Sequence, residues 1–514
     1  MFKFTRAAVV AVVGALALAG CSTSGSNGGS SGGGSGDGSG GTLTWGVIAE
    51  ASTFAQKDMR WANESPYAQA VYDTLLRATP EGEVEAGLAT EWEYNEDRTV
   101  LTMTLRDDVT FTNGETLTAE DAAASLLAFK DGTSPNASNL VNLEAAQAVD
   151  DTTLELTLTA PDPALETYLT QNSGLVAPVE AIDDPATAQN PIGSGPYVLN
   201  TGETVVGSSY VFDRNADYWN PDDQHYDKLV LQYYADPTSL LNAIQGGQVN
   251  VSNTIDVSAI AQMEASGFTA NEFALNWWGF LLSDRDGTIA PALADVRVRQ
   301  AINYALDKEA LVATVGSGYG TPTSQIFPPS SPSYDESLED YYTYDLDRAN
   351  ELMAEAGFAD GFEVTMPRAP AIPESHWTLY ADQLAQIGIT VNYEELQGAE
   401  FIPGILGGNY AMTWFTLQQD PTDYQLAQFQ IAEAATWNTL HQSTPEVEAW
   451  IDTMQTGTEE EATEAGEALN AYIVENAWFA PMYRPTAIFM SDASTQVTTQ
   501  IGNAVPYLWN VQPK

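Results

Sequence analysis

The sequence is poor in the residues from which disulfides, metal sites and phosphate contacts are built. Its 514 residues include one Cys and three His, which excludes an internal disulfide and leaves little for a metal site made of several imidazoles or thiolates. The chain has only 18 Lys and Arg but 70 Asp and Glu, which gives a formal net charge of -52. Such a charge repels nucleic acid and anionic lipid headgroups. We therefore expect neither a cofactor nor a nucleic-acid partner.

Sequence signatures of catalysis are also missing. The glycine-rich run 316–320 has the wrong register for the nucleophile elbow of a serine hydrolase, and it lacks the Lys of a phosphate-binding loop. Residues 284–287 resemble the start of a calcium loop without its later acidic ligands. His225, His376 and His441 lie far apart in the chain. We expect that the protein is not an enzyme. A surface-anchored hydrolase is the alternative, and the many carboxylate pairs lend it no support, because an acidic protein contains such pairs in any case.

The amino-terminal segment has the layout of a secretory signal. Lys3 and Arg6 form a basic start, and residues 7–19 are apolar but short for a membrane span. The sequence Leu-Ala-Gly-Cys ends at Cys21, the only Cys of the chain, and resembles the bacterial lipobox. The interpretation is a lipoprotein signal peptide over 1–20 and a lipid attachment site at Cys21. An ordinary signal peptide with a chance Cys is the alternative.

A linker rich in Gly and Ser follows the Cys and completes a predicted tether over 21–41. Such a segment cannot bury apolar surface, so it behaves as a flexible coil. No later segment combines the length and the apolarity of a transmembrane helix. We expect the lipid to hold the chain on the extracytoplasmic face of the bacterial cell membrane.

From residue 42 onwards the patterns of strands and helices alternate. Leu and Met alternate with polar residues at 101–105 and 154–158, which is the period of a half-buried strand, and 229–234 is a compact apolar run. Apolar residues at helical spacing predict helices over 298–306 and 346–356. Interleaved strands and helices predict an α/β protein with layered sheets.

Several segments, in order along the chain, resemble the signatures of one family. The chain resembles the solute-binding proteins of bacterial ABC transporters that include the oligopeptide- and dipeptide-binding proteins (family 5). Each segment alone is weak evidence for the family. Their shared order along the chain, after a lipobox-like sequence, makes the resemblance strong. The segments are Gly-Leu-Ala at 87–89 with Trp92, Arg-Asp-Asp-Val-Thr-Phe-Thr-Asn-Gly-Glu at 106–115, Pro-Ile-Gly-Ser-Gly-Pro-Tyr at 191–197, Arg-Asn-Ala-Asp-Tyr-Trp at 214–219, Asp-Val-Arg-Val-Arg-Gln-Ala at 295–301, and 345–362.

The resemblance implies a two-lobed, periplasmic-binding-protein-like (type II) α/β fold with an extra domain inserted near the N-terminus. It also implies that the lobes open and close about a hinge around a ligand. The implied boundaries are 42–60, 190–275 and 485–514 for lobe I, 61–189 for the extra domain, and 276–484 for lobe II.

The resemblance also implies candidate ligand contacts. Peptide-binding relatives carry a W-x-x-D-Y-x-x-P stretch whose Asp pairs with the α-amino group of the peptide. Trp414 and Pro421 match that stretch, but Leu417 stands where the Asp would be, and Asp420 is a substitute that the alignment does not support. A buried ammonium without a charge partner costs several kcal/mol. Binding of a free peptide N-terminus in the familiar way is therefore open to question.

Aromatic side chains complete the predicted ligand-binding set, because aromatic faces bind extended ligands. By the resemblance, Trp277 or Trp278 lies where relatives place a cleft aromatic, and Tyr483 lies near another. Phe415, beside Trp414, joins the set. For each of these side chains, burial in the core is the competing interpretation.

The resemblance implies a monomeric subunit that delivers a peptide-like solute to ABC permease subunits and has no catalytic activity. Oligosaccharides, opines and metal chelates are the alternative solutes. A binding protein used for sensing or adhesion is the alternative role.

Overall fold

The computed structural model describes residues 40–514 except 255–256, 371 and 419–421, and it describes no side chain at 254, 398 or 399. The predicted signal peptide, the lipid attachment site Cys21 and nearly all of the linker lie outside the described residues, and so does Asp420. None of the described helices is long and apolar enough to cross a membrane.

Strands and helices alternate along the described part of the chain, which confirms the predicted α/β class. The strands are β1 (Thr42–Val47), β2 (Leu76–Ala78), β3 (Val84–Ala86), β4 (Ala89–Tyr94), β5 (Val100–Leu105), β6 (Leu143–Ala148), β7 (Thr153–Leu158), β8 (Tyr197–Leu199), β9 (Ser209–Arg214), β10 (Lys228–Tyr233), β11 (Val251–Thr254), β12 (Thr269–Ala274), β13 (Asn276–Leu281), β14 (Gly320–Pro322), β15 (Phe362–Arg368), β16 (Ile389–Glu395), β17 (Thr413–Gln418), β18 (Phe479–Ser491), β19 (Thr495–Val497) and β20 (Val511–Pro513). The helices are α1 (Ser65–Val71), α2 (Ala119–Lys130), α3 (Leu165–Leu169), α4 (Val179–Ile182), α5 (Pro237–Gln245), α6 (Ile260–Ala265), α7 (Val296–Ala305), α8 (Lys308–Thr314), α9 (Leu346–Glu355), α10 (Glu374–Ala385), α11 (Gly398–Leu406), α12 (Asp423–Gln430), α13 (Pro445–Thr456) and α14 (Glu459–Glu475).

The largest sheet has the strand order β17-β13-β18-β11-β1-β10-β9-β8, with β12 and β14 also paired to β18. The first half of β18 pairs with β13 and β14, and its second half pairs with β11 and β12. The chain crosses between these halves twice, along β18 near Pro485 and from β12 into β13 at Leu275. A few residues at such crossings can absorb the motion of one half against the other, so we expect the hinge between the predicted lobes at these two places.

Apolar side chains gather in separate cores. The largest core lies between Trp277 and Tyr483 with Ala164 added, and a second combines β1, β9 and β10 with the C-terminal residues 505–511. A third core lies between Leu75 and Val176, where the alternating residues of β5 and β7 face inward as their sequences predict. The domain boundaries given above stay predictions.

Several elements begin where the sequence places a cap. Thr118 starts α2 and Thr458 starts α14, each with a capping box in which an acidic side chain returns a hydrogen bond to the cap backbone. Helix α9 follows Asp345, whose carboxylate accepts from the backbone N–H of Arg348. Gly357 ends that helix at a φ of +85°, a conformation that favours glycine.

Two of the family-like segments meet at one buried carboxylate. Asp73 accepts hydrogen bonds from Ser194 Oγ at 2.8 Å, from Tyr218 OH at 2.9 Å and from Trp219 Nε1 at 3.1 Å. Burial raises the pKa of the Asp73 carboxyl, although these three donors and Arg77 oppose the rise. The segments 191–197 and 214–219 are therefore held together by one residue that neither contains.

Glycines make that junction tight. A Cβ at Gly193 would lie 2.1 Å from the carbonyl oxygen of Val71, and one at Gly195 would lie 2.5 Å from the Val71 carbonyl carbon. Asn215 fastens the same loop by donating from Nδ2 to the Gly195 carbonyl at 2.9 Å. The glycines of segment 191–197 are therefore explained by close backbone packing, and they carry no information about the ligand.

Candidate ligand cleft

A cavity of about 860 Å³ lies where three parts of the chain meet. Its size is in the range of pockets that hold small organic molecules. The walls come from residues assigned above to lobe I, to the extra domain and to lobe II. The contributing segments are 60–64, 135–142, 424–429 and 502–504, with Ala49, Asp162, Tyr168, Gln171, Gln418, Thr436 and Gln455.

Hydrogen bonds cross the cavity at two places. Gln418, at the end of β17, donates from Nε2 to the carbonyl of Gly502 at 3.1 Å. Gln455, at the end of α13, donates from Nε2 to the carbonyl of Pro161 at 3.0 Å. Each bond joins the predicted lobe II to the predicted lobe I or extra domain, so the two sides of the cavity are in direct contact.

A third contact across the cleft comes from a turn. Arg98 lies between β4 and β5 at a φ of +56°. Its guanidinium donates to the carbonyls of Gln455 at 3.1 Å and Gly457 at 2.8 Å, where α13 ends. A cation is favourable there because the last carbonyls of a helix have no partner within the helix. Arg98, in the predicted extra domain, thus donates to the end of α13, and the Gln455 side chain donates back to the carbonyl of Pro161. We term these contacts between the predicted extra domain and the predicted lobe II the Arg98 clasp.

Side-chain amides dominate the cavity wall. Asn and Gln supply ten of its 25 residues, although they make up about one residue in ten of the chain. Each amide offers a donor and an acceptor without carrying charge. Trp61, Tyr168, Tyr424 and Phe429 add aromatic surface. The arrangement is suited to holding a polar organic molecule by hydrogen bonds and ring contacts.

Charged groups in the wall are few, and each has partners within the protein. Glu64 accepts from the backbone N–H and the hydroxyl of Ser52 and faces Arg60 at 3.8 Å. Asp162 accepts from Asn142 Nδ2 at 3.0 Å and from the Ala164 N–H at 3.1 Å. Burial raises the pKa of the Asp162 carboxyl. The wall therefore offers little unpaired charge to a ligand.

Some buried polar atoms of the wall have no hydrogen-bond partner among the described residues. They are Trp61 Nε1, Asn503 Nδ2 and Gln425 Oε1. Most buried polar groups in proteins are paired, so such atoms in a cavity wall point to a partner outside the described residues, and a bound solute would be one such partner.

None of the six predicted ligand-binding residues that the structure describes lines the cavity. Trp278, Trp414 and Tyr483 form an aromatic cluster, with Trp278 centred 5.6 Å from Trp414 and 5.4 Å from Tyr483. Trp414 and Tyr483 are buried, and Trp278 is half-buried. A ligand role for this cluster stays a prediction.

The remaining predicted residues sit in neighbouring packing. Trp277 is fully buried and donates from Nε1 to Gln430 Oε1 at 3.0 Å. Leu417 is buried opposite Trp277 in the β13–β17 pair. Phe415 stacks on Trp437 with ring centroids 4.2 Å apart.

Sequence reasoning missed the residues that do line the cavity. On α12, Gln425, Gln428 and Phe429 are spaced so that they share one helix face. The signal in the sequence was the spacing of two amides and a Phe on one helix face, of which Gln428 and Phe429 are exposed in the structure. Asn503 and Trp61 carry no comparable pattern, because they lie in loops that only the fold brings together.

Comparisons with known proteins bear on the family and the fold. The profile of the bacterial extracellular solute-binding proteins, family 5 (middle region), matches residues 83–435. Heme-binding protein A of Haemophilus influenzae is 27% identical over 376 residues, 65% of this chain and 66% of that protein. The glutathione-binding protein GsiB of Shigella boydii is 28% identical over 362 residues, 67% of this chain and 68% of that protein. The chain therefore spans about two thirds of the length of these relatives.

A solved structure supports the fold directly. HbpA2 of Haemophilus parasuis superposes with a TM-score of 0.80 at 23% identity, covering 92% of this chain and 100% of that one. An identity this low bears on the fold alone. It confirms the predicted type II, two-lobed α/β fold.

Proposed function

The chain belongs to the bacterial extracellular solute-binding proteins of family 5, and we propose that it is the lipid-anchored, solute-capturing subunit of an ABC importer. The observation that carries the proposal is the cavity of about 860 Å³ enclosed by three parts of the chain beside a two-strand crossing. The protein captures a small solute there and delivers it to permease subunits. The proposal contains no catalytic step, and the relatives reported above are named as binding proteins.

Capture works by closure of the cleft. The crossings at Leu275 and near Pro485 let one half of the large sheet rotate against the other. A solute that contacts both sides stabilises the closed form, because only that form provides all of its contacts. The Arg98 clasp and the bond from Gln418 to Gly502 add protein contacts to the same state.

The resemblance favours a peptide-like solute, with an oligosaccharide or another non-peptide molecule as the alternative. At the position where peptide-binding relatives carry an Asp, Leu417 is buried in the sheet and offers no charge to an α-amino group. This observation favours the alternative.

Solution scattering combined with a thermal-shift screen tests the capture function. Purified protein is screened with a broad library of peptides, sugars and chelates, and each hit is examined by small-angle X-ray scattering. We expect at least one hit to raise the melting temperature and reduce the radius of gyration, since ligand binding stabilises the closed form. A library that produces neither effect would count against solute capture.

The lipid anchor has its own test. In a bacterial host that processes lipoproteins, the full chain is expected to partition into the detergent phase, and Cys21→Ser is expected to move it to the aqueous phase. Mass spectrometry of the mature N-terminus tests independently whether Cys21 carries a lipid. Equal partitioning of the two proteins would contradict the anchor.

A further inference from the structure

We propose that the cleft accepts an uncharged, polyhydroxylated ligand of the oligosaccharide class. This inference rests on the proposed function, and it narrows the solute from the chemistry of the cavity wall. Three observations carry it: the paired state of the wall charges, the number of amides, and the kind of apolar surface.

The first observation concerns charge. A free peptide brings an ammonium and a carboxylate, and each needs an opposite charge when it leaves water. Glu64 is already held by Ser52 and Arg60, and Asp162 by Asn142 and Ala164. The third wall charge, Arg60, is exposed and faces Glu64 at 3.8 Å. Among the described residues, a peptide ammonium would therefore have to displace the bonds of Glu64 or Asp162 to find a charge partner, whereas a neutral ligand leaves them in place.

The second observation concerns hydrogen bonds. Sugar hydroxyls donate and accept at one atom, so they are matched by side-chain amides, which offer both functions. Ten amides from all three parts of the wall surround the cavity. The donors Trp61 Nε1 and Asn503 Nδ2 and the acceptor Gln425 Oε1 are without partners among the described residues. A ligand rich in hydroxyls satisfies donors and acceptors of this kind together.

The third observation concerns apolar surface. Among the described residues of the wall there is no Leu, Ile or Met, and the aliphatic side chains are Val141, alanines and Pro135. The wall thus lacks the deep aliphatic pockets that apolar peptide side chains fill. It does carry aromatic rings, and Phe429 on α12 is 43% exposed. An aromatic face packs against the C–H face of a sugar ring, which makes these rings suitable platforms.

Isothermal titration calorimetry with three classes of probe tests the inference. The probes are xylo-, cello- and malto-oligosaccharides of two to six units, tri- and tetrapeptides with free ends, and the same peptides with acetylated and amidated ends. We expect an oligosaccharide to bind and both peptide classes to fail. We also expect its Kd to change less than about twofold between low and high salt, since neither partner contributes net ion pairing.

Variants show whether binding occurs in this cavity. Phe429→Ala should weaken oligosaccharide binding about tenfold through the lost ring contact. Its matched control is Tyr344→Ala, a side chain of nearly equal exposure, 44%, outside the cavity wall. For the amides, Gln428→Ala should weaken binding, while Gln262→Ala, on the exposed side of α6, should not.

The remaining outcomes have distinct meanings. Binding of free peptides without oligosaccharides overturns the inference and leaves the capture function intact. Tighter binding of the capped peptides than of any oligosaccharide also overturns the inference, because the ligand would then be neutral but not a sugar. If no probe binds, the inference fails. The capture function is still supported in that case if another solute makes the protein more compact.

Discussion

At the scale of single residues, Asp73 shows how sequence signatures can mark structure rather than ligand binding. Its carboxylate joins Ser194 of one segment to Tyr218 and Trp219 of another. Arg77, whose guanidinium lies 2.7 Å from Asp223, adds a second charge to the same region. These groups are far more informative about the fold than about the solute, since none of them lines the cavity.

Replacing the Asp73 carboxylate should destabilise the protein. In Asp73→Asn an amide N–H₂ replaces one carboxylate oxygen, so a hydrogen-bond donor of the protein meets another donor where it met an acceptor before. We therefore expect the free energy of unfolding to fall by about 2–4 kcal/mol. Urea denaturation followed by circular dichroism measures the loss. Asp108→Asn is the control, because Asp108 is exposed and pairs only with Arg106, and it should change stability by less than about 1 kcal/mol. Equal losses for the two variants would refute the role given to Asp73.

Asp162 gives a prediction about pH. Burial raises its carboxyl pKa in the folded state, so ionisation of Asp162 costs stability above that pKa and costs nothing below the pKa of the unfolded chain. Asp162→Asn stays neutral, but its single amide oxygen can replace only one of the two carboxylate oxygens, which accept separately from Asn142 and Ala164. The difference in stability between the variant and the original protein should therefore be most favourable to the variant at pH 7, and that advantage should shrink as the pH falls towards about 4.

Urea midpoints measured from pH 7 down to pH 4 check this sign. A gain that grows on acidification would show that the pKa of Asp162 is lowered instead.

At the scale of secondary structure, the sequence predicted the regular elements well and the crossings poorly. The alternation at 101–105 and 154–158 and the helix faces at 298–306 and 346–356 correspond to β5, β7, α7 and α9. The long strand β18 was hidden because Pro481 and Pro485 lie within it, and Pro normally argues against a strand. Its pairing with strands from distant parts of the chain is a tertiary effect.

The Arg98 clasp belongs to this scale, because it ties a turn to a helix end. Arg98→Ala removes two charge-assisted hydrogen bonds to the last carbonyls of α13. We expect the closed form to lose about 1 kcal/mol, which corresponds to about fivefold faster release of bound solute and a larger radius of gyration without ligand.

Stopped-flow release and solution scattering measure these two effects. The control is Arg348→Ala, which removes an exposed cation on α9 paired with Glu351. Unchanged release in Arg98→Ala, or the same change in the control, would show that the clasp does not hold the cleft closed.

At the scale of the whole molecule, the family and the fold class were predictable and the cavity wall was not. Of the aromatic residues chosen from the sequence, Trp277, Trp414 and Tyr483 are buried, and none of the set lines the cavity. Composition cannot separate a core aromatic from a cleft aromatic, because the same apolar surface suits both places. The wall is assembled from loops and one helix face that lie hundreds of residues apart, and only the closed fold brings them together.

The excess of negative charge also acts at this scale. A formal net charge of -52 disfavours contact with anionic membrane surfaces, so the proposed membrane attachment depends on the lipid proposed for Cys21. The wall of the cavity does not share this excess, since its few charges are paired. The protein thus presents an acidic exterior and a nearly neutral interior to a solute.

Native mass spectrometry of protein purified from its own cells tests solute capture in this cavity most directly, because it detects whatever solute the protein carries and needs no chosen probe. We predict a non-covalent adduct on the unmodified protein and on Tyr344→Ala. In Phe429→Ala the adduct should be lost or strongly reduced. The released molecule should be uncharged and rich in hydroxyl groups. An adduct that survives equally in all three proteins, or one that never appears, would contradict the account.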